Sequence, residues 1–320
     1  AIVAGYEAGL RVGVSGVGGL FRRGFHSAAV CGVFVSAATA GRLLELDPAR
    51  MQHAFGIAGS LGAGLASAQE GAMVKRLHSG HAARTGVNAA LLARKGFTGI
   101  LNVIEAPFGG FLGSHSDRGD VSLVTSGLGT AWETMALGFK PYSTAGAIQP
   151  ALSLLQAIMR ETGLAAADIE AIDVDCTTHC RDHVAWPYVP QGVASAQMNL
   201  FYALSVMALD GAAMVEQFEE SRLADPVILD YMRRIHVQAD EKFDAMGTAF
   251  RYATRVTLTT TKGAKHAKET LHRPGSPESP LTEAQVVDKF DRLAAYAVDA
   301  ATRSKIREMV AGLERLEGVA

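Results

Sequence analysis

Residues 75–99, KRLHSGHAARTGVNAALLARKGFTG, decide how the first half of the chain is read. From His81 onward small and apolar residues recur at helical spacing, and the run closes on Arg94 and Lys95 before Gly96. A basic last turn suits the negative end of a helix dipole, and glycine commonly ends a helix because it enters left-handed geometry freely. The residues just ahead, Lys75-Arg76-Leu77-His78-Ser79-Gly80, put three basic side chains into four positions. They read as a loop between two buried helices, with Gly80 permitting a tight backbone. The neighbouring segments 54–74 and 82–93 carry only Glu70 and Arg84 as full charges. Cations in such company are expected to be paired or directed into a cavity.

Outward from this stretch the helical reading continues. Residues 27–41 (SAAVCGVFVSAATAG) and 54–69 (AFGIAGSLGAGLASAQ) are rich in Ala, Gly and Ser. Both are shorter than the roughly 20 apolar residues that cross a bilayer, so they predict closely packed buried helices and no membrane span. Asp47 offers an N-cap with Pro48 at the first helical position, where a missing N–H costs nothing. The chain opens on AIVAGYEAGLRVG, which already reads as helix. With 48% hydrophobic residues the 320-residue chain can bury a sizeable core, and its length suits two domains. A formal charge of −2 gives no global footprint for nucleic acid.

The character changes near Lys140. Residues 148–163 (IQPALSLLQAIMRETG) form an amphipathic pattern, and 169–178 (IEAIDVDCTT) alternates as a strand does. Residues 196–211 (AQMNLFYALSVMALDG) predict another buried helix, and 251–271 a β-hairpin turning near Lys262-Gly263. A last helix is announced by Thr282 with Gln285 as a capping box and by Leu281 with Val286 as a staple. The predicted fold is mostly α. A large helical domain over 1–136 is followed by a smaller α+β lid domain over 137–272, and 273–320 return to the helical domain.

Polar groups concentrate in four places. His26 in FRRGFHSAAVCG stands at the start of a buried helix, whose free N–H groups attract anions. Lys75, Arg76 and His78 form the cationic stretch. Lys140 precedes a proline at the domain boundary, and Tyr202 puts a phenol in an apolar helix. The chain has no phosphate loop, no dinucleotide fingerprint between strand and helix, no HExxH and no nucleophile elbow. Cys31, Cys176 and Cys180 are too few for a disulfide framework, which favours a reducing, cytoplasmic setting. Cys176 and Cys180 with His179 and His183 lack a second ligand pair, so no metal is expected there.

In order, RRGFHSAAVCG (22–32), KRLHSGHAARTGVNAALLARKGFTG (75–99), KPY (140–142), AQMNLFYALSVMALDG (196–211) and RPGSPESPLTEAQVVDKF (273–290) resemble the MmgE/PrpD family, typified by 2-methylcitrate dehydratase. The resemblance implies a helical domain and a lid domain flanking a cleft, usually in a homodimer. It implies a cofactor-independent hydro-lyase for a small di- or tricarboxylate, passing through a carbanion- or enediolate-like species. The related activities, cis-aconitate decarboxylation and iminodisuccinate epimerisation, are the alternatives, as is an inactive carboxylate-binding homologue. By matching motif, His26, Lys75, Lys140 and Tyr202 would be catalytic. His78, Arg76 and Gln149 would bind substrate, Gln149 lying near a position where many members have histidine. The resemblance also implies that the family's N-terminal helical part, with its acid–base residues, is missing from this chain.

Overall fold

Alanine and glycine on helix faces let backbones approach, and the first half of the chain uses them to stack four helices. In the computed structural model, which describes residues 1–315, these are α1 (Ile2–Ser15), α2 (Ser27–Leu43), α3 (Pro48–Leu61) and α4 (Val74–Arg94). α2 packs along both α1 and α4, and α3 packs on α2 and α4. Gly86 shows how close α2 and α4 come: a Cβ there would lie 2.0 Å from Ser36 Oγ and 2.4 Å from Ala37 N. Ser36 Oγ donates across the same interface to Ala82 O at 2.8 Å. The core they enclose includes Val30, Val33, Phe34, Ala54, Ala58, Ala89 and Phe111, with Phe34 edge-on to Phe111 at 5.1 Å.

One expectation is corrected here. Residues 75–80 are not a loop but the first turns of α4, which starts at Val74. Nothing from Val74 to Arg94 breaks a helix: Lys, Arg, Leu and Ala are good helix formers, and Gly80 and Gly86 cost only about 1 kcal/mol each. Lys75 and His78 therefore fall three apart on one face, and Arg76 is turned about 100° from Lys75. Upstream, α3 starts as predicted, with Asp47 accepting from Arg50 N and Pro48 leading the helix. It stops at Leu61, short of the expected residue 69, because Gly62 and Gly64 interrupt it before a 3₁₀ turn over Ala66–Glu70.

These elements belong to a unit of Ala1–Leu137 with Val189–Ser195. Its irregular segment after residue 120 is pinned to α1 by a buried pair. Arg11 donates to Ser126 O at 2.7 Å and Ala131 O at 2.6 Å. Glu7, bonded to Arg11 at 3.3 Å, accepts from Thr134 N and Oγ1 at 2.7 and 2.6 Å.

The second unit comprises Gly138–Tyr188 and the described residues from Ala196 to Arg315. Its longer elements are α5 (Gln149–Thr162), β1 (Ile169–Cys176), α6 (Leu200–Asp210), β2 (Ile235–Ala239), β3 (Thr254–Thr260), β4 (Lys265–Thr270), α7 (Glu283–Ala294) and α8 (Ala300–Ala311), with short helical turns between them. The sheet order is β2-β1-β3-β4, with β1 parallel to β2 and the other pairs antiparallel. Alternation places Ile172, Val174 and Cys176 of β1 and Val256 and Leu258 of β3 in the core, where α5 packs against β3 and β4. The hairpin and the capping box at Thr282 and Gln285 are as predicted. Strand β2 was not predicted, although Ile235-His236-Val237 alternates.

The fold is mostly α, with a small mixed sheet in the second unit. Residues 273–315 cluster with that unit, whereas sequence reading returned 273–320 to the helical domain. Among the contacts that hold them, Phe139 N donates to Gly275 O at 2.7 Å, and the Lys289 ammonium donates to Lys140 O. Among the described residues, no helix is long and apolar enough to cross a membrane.

Candidate active site

His26 is the N-cap of α2, in an extended conformation that starts the helix through its carbonyl while its side chain makes no capping bond. The ring is thereby left for another partner. The backbone is fixed by His26 N donating to Gly64 O at 3.0 Å and by Ala66 N donating to Gly24 O at 2.8 Å. From the opposite side α4 presents His78, which is only 8% exposed. The two rings meet Nδ1 to Nδ1 at 2.9 Å, tilted by 42°.

Gly64 makes this approach feasible. A Cβ there would lie 2.4 Å from Ala29 Cβ and 3.3 Å from the His78 ring. The residue also has φ of +159°.

The electrostatics follow from burial and from Lys75 on the same face of α4. Desolvation, then the Lys75 ammonium, then His78, push His26 down to about 4. His78 is lowered by burial, by Lys75 and by His81. Both imidazoles are therefore neutral near pH 7, beside a fixed ammonium. Two neutral rings facing through Nδ1 share one proton, so one ring donates and the other accepts. The arrangement holds a positive charge for an anion and an imidazole that can exchange a proton. His81, which sequence reading did not single out, accepts from Arg84 at 3.0 Å through Nδ1. Its place one turn beyond His78 is legible only once residues 75–80 are read as helix.

The other residues expected at the site lie in the second unit, apart from Arg76, which is exposed on α4. Lys140 is exposed, and its carbonyl is the one held by Lys289. Gln149 is fully buried. Its Oε1 accepts from Tyr142 N at 3.0 Å, and its Nε2 donates to Thr144 Oγ1 at 2.7 Å and lies 3.2–3.3 Å from three carbonyls of residues 142–145. Tyr202 is also fully buried. Its hydroxyl donates to Gln217 O at 2.9 Å, and burial pushes it up to about 12. The roles expected of Gln149 and Tyr202 need a polar atom turned to a substrate. In this structure those atoms are taken up inside their own unit.

Cys176 and Cys180 point to backbone carbonyls, Gln238 O at 3.8 Å and Arg251 O at 3.2 Å. Burial raises both thiols, Cys180 to about 11. Among the described residues no group of three or more His, Cys, Asp or Glu could hold a metal ion.

Comparison with known proteins extends over the whole chain. Residues 1–123 match the MmgE/PrpD N-terminal domain, and residues 142–315 match the MmgE/PrpD C-terminal domain. The first match overturns the expectation that the family's N-terminal part is missing. The apolar helices that open the chain belong to that domain. A cis-aconitate decarboxylase of Aspergillus terreus is 31% identical over all of this chain and 68% of its own length. A cis-aconitate decarboxylase-like protein, oryM of Aspergillus oryzae, is 28% identical over 98% of this chain and 67% of its own. The Homo sapiens cis-aconitate decarboxylase is 26% identical over 92% of this chain and 61% of its own.

Proposed function

The chain belongs to the MmgE/PrpD family, and on that premise we propose that it is a lyase that decarboxylates a small tricarboxylate of the cis-aconitate type. The observation that carries this reading is the His26–His78 pair beside Lys75. The names of the relatives favour decarboxylation over the dehydration expected from sequence alone.

The chemistry assigned to these residues is simple. The Lys75 ammonium grips a substrate carboxylate, and in a site poor in water that attraction is stronger than in solution. The bond from carbon to the departing carboxylate breaks, CO₂ leaves, and its electron pair spreads over the adjoining double bond and remaining carboxylate. A proton on His26 closes the step by forming a C–H bond, and His26 recovers one from water. An arriving polyanion supplies the negative charge that His26 lacks in the free protein, so binding raises its proton affinity. Lys140 and Arg76 remain proposed as carboxylate contacts. We read Tyr202 and Gln149 as braces of the second unit.

A panel of cis-aconitate, citrate, 2-methylcitrate and iminodisuccinate tests the proposal, with CO₂ release, loss of water and solvent-deuterium uptake followed together. The expected result is CO₂ from cis-aconitate, lost by about 100-fold or more in His26→Asn and Lys75→Met. Loss of water from 2-methylcitrate without CO₂ would replace this reading with the hydro-lyase one. Deuterium uptake alone would favour an epimerase, and binding without turnover an inactive homologue.

A further inference from the structure

We propose that His78 is a positioning residue that holds His26 as its Nδ1–H tautomer, leaving His26 Nε2 as the atom that exchanges the proton. The inference rests on the function proposed above and gives His78 a task other than gripping substrate.

The 2.9 Å separation of the two Nδ1 atoms admits one proton between them. Which ring donates follows from access. His78 is 8% exposed, whereas His26 is half-buried at the mouth of a helix. The ring that exchanges a proton during turnover is the one a substrate can reach, and that is His26, although burial and Lys75 hold its proton affinity low in the free protein. When His26 becomes imidazolium through Nε2, it keeps the Nδ1 proton and needs a neutral acceptor for it. His78 Nδ1 is that acceptor.

The surroundings keep His78 neutral. Lys75 and His81 on α4 both oppose a charge on it. The segment packed over it, Gly62-Ala63-Gly64-Leu65, carries no titratable group. The geometry is also hard to relax. His26 is tied at its backbone to Gly64 O, and a Cβ on Gly64 would meet Ala29 Cβ at 2.4 Å and the His78 ring at 3.3 Å. To deliver a proton to carbon His26 must first take one up at Nε2, which requires a free lone pair there. In the opposite tautomer His26 Nε2 would carry the proton and be unable to accept one.

The test reads the tautomer directly. ¹⁵N imidazole shifts of the wild-type protein should show His26 protonated at Nδ1 and His78 at Nε2. In His78→Phe the preference of His26 should be lost and kcat should fall about 100-fold with KM nearly unchanged. His78→Gln, whose amide oxygen can accept the same proton, should keep the tautomer and most of the rate. A raised KM with unchanged kcat would instead make His78 a substrate contact. The inference is overturned if wild-type His26 is protonated at Nε2, or if His78→Phe leaves tautomer and rate unchanged. The wild-type spectrum decides even if a variant fails to fold. It also decides if no acid of the panel is turned over, which separates this inference from the function on which it rests.

Discussion

At the scale of single residues, the polar atoms of Tyr202 and Gln149 meet partners inside their own unit, whereas the His26 and His78 rings meet each other. Tyr202→Phe removes a buried hydroxyl that donates to the Gln217 carbonyl, so it should cost about 1–2 kcal/mol in urea unfolding while leaving kcat within a fewfold of wild type. A collapse of kcat with unchanged stability would return Tyr202 to the catalytic group. For His26 the prediction concerns pH. Its affinity for protons is lower in the folded protein, about 4, than the ordinary value of 6.5. Between those values the unfolded chain binds more protons, so stability is full above about pH 6.5 and falls as the pH drops toward 4. Urea titrations at several pH values should show this loss reduced in His26→Asn, and parallel curves would contradict it. The residue types in the FHS and KRLH motifs were legible in the sequence. The fates of Tyr202 and Gln149 were not, because each turns on a backbone partner supplied by tertiary structure.

At the scale of elements, two glycines of α4 separate helix from loop. Gly80 is helical with open space at its Cβ position, so Gly80→Ala should stabilise the protein by about 0.5–1 kcal/mol. A tight loop there would give the opposite sign. Gly86 faces α2 with no room, so Gly86→Ala should cost about 1–3 kcal/mol by overpacking. Calorimetry of the two variants checks both signs. The small-residue composition of these helices was readable in advance, as were the Asp47 and Thr282 caps. The start of α4 was misread because a charged run ending in glycine resembles a loop. One face of a helix can instead carry Lys75 and His78 toward His26 while the face turned from it stays in solvent.

At the scale of the molecule, the order of a helical block followed by a mixed block was present in the hydrophobic pattern, since helical and strand periods differ along the chain. The grouping of the closing helices was not. It depends on the Lys289 ammonium finding Lys140 O and on Gly275 O meeting Phe139 N, contacts that join residues more than a hundred positions apart. The family match over both halves of the chain and the imidazole pair beside Lys75 lead to the same proposed chemistry. Its most direct test is the release of ¹³CO₂ from carboxyl-labelled cis-aconitate by wild-type protein and by His26→Asn at equal concentration. The account predicts steady release by the wild type and a loss of about 100-fold in the variant. Equal release by both, or none by a folded wild type that turns over another acid of the panel, would contradict it.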